Sequence, residues 1–207
     1  MIIYIPIYLA NGCFENMYSN LLTHINRFVK LSAEEEDMLS SYLNLAVLKK
    51  KEYLLEEGKI CTANYFIQKG CFRTYFINEK GTEQILQFGI ENWWITDYTS
   101  LESQSPSNFF IQAIENAEIV VLEKNIQEIL FQKIPKLERY FRIILQKSYS
   151  ASQLRIKYIF SLSGEERYHH FNNSFPEFVQ RIPQYMLASY LGFSPEFLSK
   201  IRANKLS

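Results

Sequence analysis

One stretch near the C-terminus constrains the fold more than any other. Residues 184–203 read QYMLASYLGFSPEFLSKIRA. Two helices cross closely only where a small side chain lets them approach, and a sharp turn between them needs a residue that tolerates positive φ. Ala188 is the small residue, and Gly192, four positions on, supplies the turn. Leu187, Leu191, Phe193, Leu198 and Ile201 fall where they lock the pair from inside. Ser194 is placed to cap the second helix, with Pro195 at its first position, where a missing N–H costs nothing. Pro183 opens the first helix in the same way. The register predicts a helix-turn-helix whose second helix exposes Glu196, Ser199, Lys200 and Arg202. Such a helix can enter a major groove, where Lys donates to guanine O6 and N7 and Glu accepts from cytosine N4. Gln184, Ser194 and the helix N-terminus suit phosphates. The competing reading is an ordinary αα-hairpin in a small helical domain.

Charge bears on this choice only once the chain is divided. Over the whole chain 22 basic side chains balance 22 acidic ones. Residues 139–207 carry 10 basic and 4 acidic groups, whereas residues 1–138 carry 12 and 18. A phosphate backbone attracts the first part and repels the second, which helps orient docking. Long helices also carry Lys and Arg without binding anything, so charge alone does not decide.

Upstream the periodicity changes twice. Residues 19–44 read as helical, with Ser32 and Glu35 forming a capping box. From Ala46 to Val121 short apolar runs alternate with turn signals: 65–67, 72–77, 84–88, 109–113 and 118–122 are the expected strands, and 102–107 is a polar breaker. Strands so evenly spaced suggest a β-sandwich or barrel. Residues 125–132 read as a short helix, and a long helix then runs from Pro135 to about Phe160. Its stripe of Leu137, Phe141, Ile144 and Leu145, continued by Ala151, Leu154 and Tyr158, is either a dimer seam or a face packed on its own sheet. Ser163-Gly164 reads as a hinge.

Other chemistries lack their residues. Cys13, Cys61 and Cys71 are too few and too dispersed for a disulfide framework, a four-ligand zinc site or an iron–sulfur cluster. A cupin-type enzyme needs His and carboxylate ligands on neighbouring strands, but His24, His169 and His170 all lie outside the β-region. Adjacent His169 and His170 do not converge as i,i+4 ligands would. No enzyme activity, metal or cofactor is expected. MIIYIPIYLA is too short to span a bilayer and lacks a basic leader, so a cytoplasmic protein with no membrane partner is expected.

The chain resembles the Crp/Fnr family, bacterial regulators related to the cyclic-AMP receptor protein, in the form of the divergent members typical of Bacteroidetes. The likeness runs from about Leu21 to Ser207. It rests on Tyr65 to Gly70, Glu79 to Leu86, Arg181 to Gly192 and Ser194 to Arg202. The resemblance implies an α+β chain: a jelly-roll sensor domain of the cyclic-nucleotide-binding kind over 1–134, a dimerisation helix over 135–162 and a winged helix-turn-helix over 163–207. It implies a homodimer on a two-fold-related operator in double-stranded DNA, with RNA polymerase as a further partner. By position, Glu196 and Lys200 match base-contacting residues and Ser194 a phosphate-binding one. With five residues after Arg202, the wing is expected to be reduced or absent.

The family's nucleotide pocket uses a Gly-Glu pair and an Arg followed by Ser or Thr, the Arg pairing with the cyclic phosphate. Here Thr96-Asp97 stands at the first place and Ser107-Asn108 at the second. Ser107 cannot replace a guanidinium fork on a phosphate, so these four pocket candidates do not suit cyclic AMP and the effector is left unassigned. Glu91 with Trp93 and Trp94 either lines a different pocket or belongs to the core. The expected function is transcription regulation; the alternative is a ligand- or partner-sensing module that does not touch DNA.

Overall fold

The computed structural model describes residues 3–4 and 17–204. Cys13 and most of the opening segment lie outside them. The chain divides into two compact units, one of Met1–Phe76 with Phe88–Ile144 and one of Ile77–Gln87 with Leu145–Ser207.

In the first unit, β1 (Ile3–Tyr4) is followed by α1 (Ser19–Asn26) and α2 (Ala33–Ser41). The helical region read over 19–44 is two helices, with a break ahead of the expected capping box. The cause is Asn26, whose amide oxygen accepts from the Leu31 N–H at 3.0 Å while its nitrogen donates to Glu36 at 2.6 Å. A side chain that satisfies nearby backbone in this way competes with helix continuation. Ser32 and Glu35 then restart the chain as α2 through the capping box.

The strands are β2 (Asn44–Leu48), β3 (Tyr53–Leu55), β4 (Ala63–Lys69), β5 (Phe72–Ile77), β6 (Glu83–Gly89), β7 (Trp94–Ile95), β8 (Phe110–Ala113) and β9 (Ala117–Glu123). One sheet runs β1-β2-β9-β4-β7, and a second carries β3-β8-β5. The expected strands are present; β1, β2, β3 and β7 fall outside that reading because they are short or lie at the ends of apolar, helical or polar runs. The pleat explains why β4 and β9 look apolar throughout. Tyr65, Ile67, Ile119 and Val121 point into the core between the sheets, beside Phe72, Ile95 and Ile111. Phe66, Val120 and Leu122 point the other way, against Leu21, Ile25, Leu39 and Leu43 of the helical layer. A strand covered on both faces loses its polar alternation.

The polar region before residue 107 holds a short helix, α3 (Tyr98–Ser103), started by Asp97. After β9 come α4 (Lys124–Lys133) and the long α5 (Lys136–Ser161). The first turns of α5 bury Leu137, Tyr140 and Phe141 in the helical layer. The Tyr140 hydroxyl accepts from Trp94 Nε1 at 2.8 Å and hydrogen-bonds His24 Nδ1 at 2.7 Å. Burial pushes this phenol well above its ordinary pKa.

The second unit contains the rest of α5, then α6 (Gly164–Ser174), α7 (Pro176–Arg181), α8 (Gln184–Leu191) and α9 (Pro195–Asn204). Tyr168, Val179, Ile182, Met186, Leu187, Leu191, Leu198 and Ile201 are buried there. Ser163, in the expected hinge, begins a helix through a capping box with Glu166. Arg167 donates to the carbonyls of Ile159, Leu162 and Leu191, which closes the C-terminal ends of α5 and α8.

Candidate nucleic-acid interface and sensor pocket

The helix-turn-helix forms in the register that the side chains dictate. Ala188 is fully buried, and Gly192 ends α8 in the left-handed region at φ 81°. Its N–H bonds the Ser189 carbonyl, and the Phe193 N–H bonds that of Ala188. Ser194 Oγ accepts from the Phe197 N–H at 3.3 Å, a cap on α9. Leu187, Leu191, Leu198 and Ile201 are buried as expected, whereas Phe193 is only half-buried.

The candidate contact residues then lie outside. Ser194, Glu196, Ser199, Lys200 and Arg202 are all exposed. Gln184, at the first turn of α8, is half-buried, and its side-chain oxygen is buried with no hydrogen-bond partner. The Glu196 carboxylate is held below the usual range by hydrogen bonds from its own backbone N–H and from the Ser194 hydroxyl. It is therefore an acceptor at neutral pH. Two of the basic residues behind the charge split, Arg155 and Arg167, are engaged with backbone carbonyls.

Phe197 was not read as a surface residue. It is 42% exposed on α9, one residue after Glu196 and three before Lys200. Its ring meets Phe193 edge-on at 5.3 Å, and a Cβ on Gly164 would come within 2.6 Å of it. Its i+3 spacing to Lys200 was the available signal.

The lower part of α5 also exposes apolar residues. Leu145, Tyr149, Ile156 and Ile159 are exposed, and with Ser152 they recur at alternating spacings of four and three. That is the seam pattern of a coiled coil. Of the stripe expected through Ala151, Leu154 and Tyr158, Ala151 and Leu154 are exposed as well, while Tyr158 is half-buried and its ring meets His170 at 4.4 Å. His169 Nε2 lies 3.6 Å from Glu165.

In the first unit the pocket candidates bond to one another. Asp97 is buried; its Oδ1 accepts from the N–H groups of Thr99 and Ser100 at 2.9 and 3.3 Å. Its Oδ2 accepts from Ser107 Oγ at 2.7 Å, and Ser107 Oγ in turn accepts from the Phe109 N–H. Thr96 Oγ1 donates to the Ala63 carbonyl at 2.9 Å and lies 3.2 Å from Cys61 Sγ. Asn108 is exposed. A carboxylate so occupied has little left for a ribose, and no guanidinium from this cluster is offered to a phosphate. The second pocket suggested by the tryptophans does not form as a unit. Trp94 packs on Phe66 and Phe141, Trp93 is 44% exposed, and Glu91 accepts from the Gly70 N–H at 2.9 Å.

Among the described residues no group of three or more His, Cys, Asp or Glu side chains converges as a metal site, and no helix is long and apolar enough to cross a membrane. Cys61 and Cys71 are buried.

Comparison with known proteins agrees with this architecture. Residues 45–133 match the cyclic nucleotide-binding domain. The chain is 26% identical over 204 residues to the anaerobic regulatory protein of Aggregatibacter actinomycetemcomitans, covering 93% of this chain and 79% of that one. Among solved structures, FixK2 from Bradyrhizobium japonicum shares the fold with a TM-score of 0.68 at 15% identity, over 78% of this chain and 83% of that one. The c-di-GMP-responsive global regulator CLP of Xanthomonas campestris does so with a TM-score of 0.71 at 11% identity, over 84% and 92%.

Proposed function

We propose that the chain is a transcription regulator of the Crp/Fnr type and that it reads duplex DNA with α9 as a homodimer. The observation that carries this is the agreement of cap, turn and buried lock in 184–203 with a face of Ser194, Glu196, Ser199, Lys200 and Arg202 left exposed. Lys200 and Glu196 are the base readers, a Lys donating to guanine and a Glu accepting from cytosine. Ser194, Gln184 and Arg202 hold the backbone and fix the register. Ser199 is the neighbouring polar contact. The seam on the lower part of α5 pairs two copies, so that two recognition helices reach successive major grooves. Contact with RNA polymerase belongs to the same reading, and catalysis does not.

The β-unit acts as the sensor, and its effector is not cyclic AMP. Asp97 and Ser107 hydrogen-bond each other, and exchanging a guanidinium fork for Ser107 removes the charge-assisted pair that a cyclic phosphate needs. Any effector must bind two orientations of the head with different affinity to act as a switch.

The experiment is selection of bound duplexes from a random pool, followed by titration at several salt concentrations. A two-fold-related consensus is expected, with affinity that falls as salt rises. Absence of binding at any salt would leave the sensing module without DNA contact as the function. Titration calorimetry with cyclic AMP is expected to show no heat of binding.

A further inference from the structure

The first helix of the helix-turn-helix is tied to a β-hairpin by one hydroxyl and one guanidinium. Ser189 Oγ donates to the Glu83 carbonyl and accepts from the Ile85 N–H, both at 3.0 Å. These are alternate groups on one edge of β6, the pair that a neighbouring strand would otherwise take. Arg155 of α5 donates to the carbonyls of Leu86 and Ile85 and, at 3.0 Å, to that of Tyr190. Its guanidinium also lies over the Tyr190 ring, 4.2 Å from the centroid. Tyr190 is in the last turn of α8, where carbonyls lack intrahelical partners. Residues 83–86, 155 and 189–190, remote in the chain, are thus joined within one compact unit.

Resting on the DNA-binding reading above, we propose that Ser189 and Arg155 are positioning residues: they clamp α8 to the 77–87 hairpin and so set the angle at which α9 meets duplex DNA. A serine inside a helix is no better for the helix than alanine, so Ser189 gains its value from the strand edge. The clamp uses the C-terminal half of α8, while Gln184 begins that helix and the candidate residues of α9 remain exposed. It therefore orients the reading face without covering it.

The test uses the full chain, a duplex with two half-sites recovered by selection, and a series in which their spacing changes by single base pairs. The wild type is expected to lose affinity sharply away from the best spacing. Ser189→Ala and Arg155→Met are expected to bind the best-spaced duplex about tenfold more weakly, the scale of one or two lost hydrogen bonds, and to show a flatter spacing profile. Ser189→Thr, which keeps the hydroxyl, restores the profile. Amide hydrogen exchange supplies a readout that needs no DNA: the Ile85 N–H is protected in the wild type and exposed in Ser189→Ala, with circular dichroism unchanged. The proposal is overturned if both variants keep the wild-type spacing profile, or if the Ile85 amide exchanges equally fast with and without Ser189. If the wild type binds no duplex at all, the DNA-binding reading falls, and the exchange measurement alone decides whether the clamp exists.

Discussion

Asp97 in the β-unit and Glu196 in the helical unit are carboxylates at the start of a helix, each held by nearby N–H and O–H donors. Asp97 caps α3, is buried, and accepts from Thr99, Ser100 and Ser107. Glu196 sits in the first turn of α9, fully exposed, with donors on its own backbone and on Ser194. The local chemistry is nearly the same and the consequence differs. Burial commits both carboxylate oxygens of Asp97 to holding the fold, because an unsatisfied buried carboxylate would cost several kcal/mol. Exposure leaves Glu196 with acceptor capacity facing solvent. A polar residue at a ligand-binding place of a fold is thus a binding residue only if its hydrogen bonds are not already made at home.

The comparison is broken or sharpened by four measurements. Asp97→Ala should cost the most, about 2–4 kcal/mol of stability in chemical denaturation, because it removes a cap and takes the carboxylate partner from the buried Ser107 hydroxyl, which keeps only the longer bond to the Phe109 carbonyl. Duplex affinity should not change, and an undiminished stability would mean that Asp97 is not structural. Lys200→Ala should do the reverse. Its binding to the selected duplex should weaken by about 1–3 kcal/mol with relaxed base preference, and its denaturation curve should overlay the wild type. An unchanged footprint would remove Lys200 from the readout.

Gly192→Ala should cost about 1 kcal/mol of stability. No atom lies within 4 Å of the added Cβ, so the cost comes from the positive φ alone. A loss of several kcal/mol would show that the turn is packed more closely than the structure has it. The smallest effect is that of the capping-box acids. Hydrogen bonds from Lys136 and the Ser32 N–H hold Glu35 below the usual carboxylate range, and those of the Ser163 N–H and hydroxyl do so for Glu166. Each native pKa lies below the unfolded one, so the stabilisation is present above the ordinary carboxylate pKa and is lost as pH falls through the native value. Stability should therefore decline slightly as the pH drops below about 4, and Glu35→Gln should flatten part of that slope in pH-dependent melts.

Much of the molecule was legible because its signals are local. The cap at Ser194, the turn at Gly192 and the small Ala188 lie within seven residues, so spacing alone sets their register. The strands 72–77 and 118–122 were legible from β-branched and aromatic runs, and the α2 capping box from Ser32 and Glu35 three apart. Less local features escaped. The break after Asn26 depends on where its amide turns, α3 on Asp97 meeting two backbone N–H groups, and the exposure of Phe197 on how closely Gly164 lets it pack.

By itself the sequence determined the helix-turn-helix, the β-rich region and the long helix between them. Only tertiary structure decided which polar groups are consumed. The Asp97–Ser107 bond spans ten residues, and the Ser189–Ile85 bond spans 104. No periodicity encodes such pairs, because they exist only after the chain has brought distant backbone edges to within 3 Å, where a buried donor must find an acceptor or raise the energy of the fold.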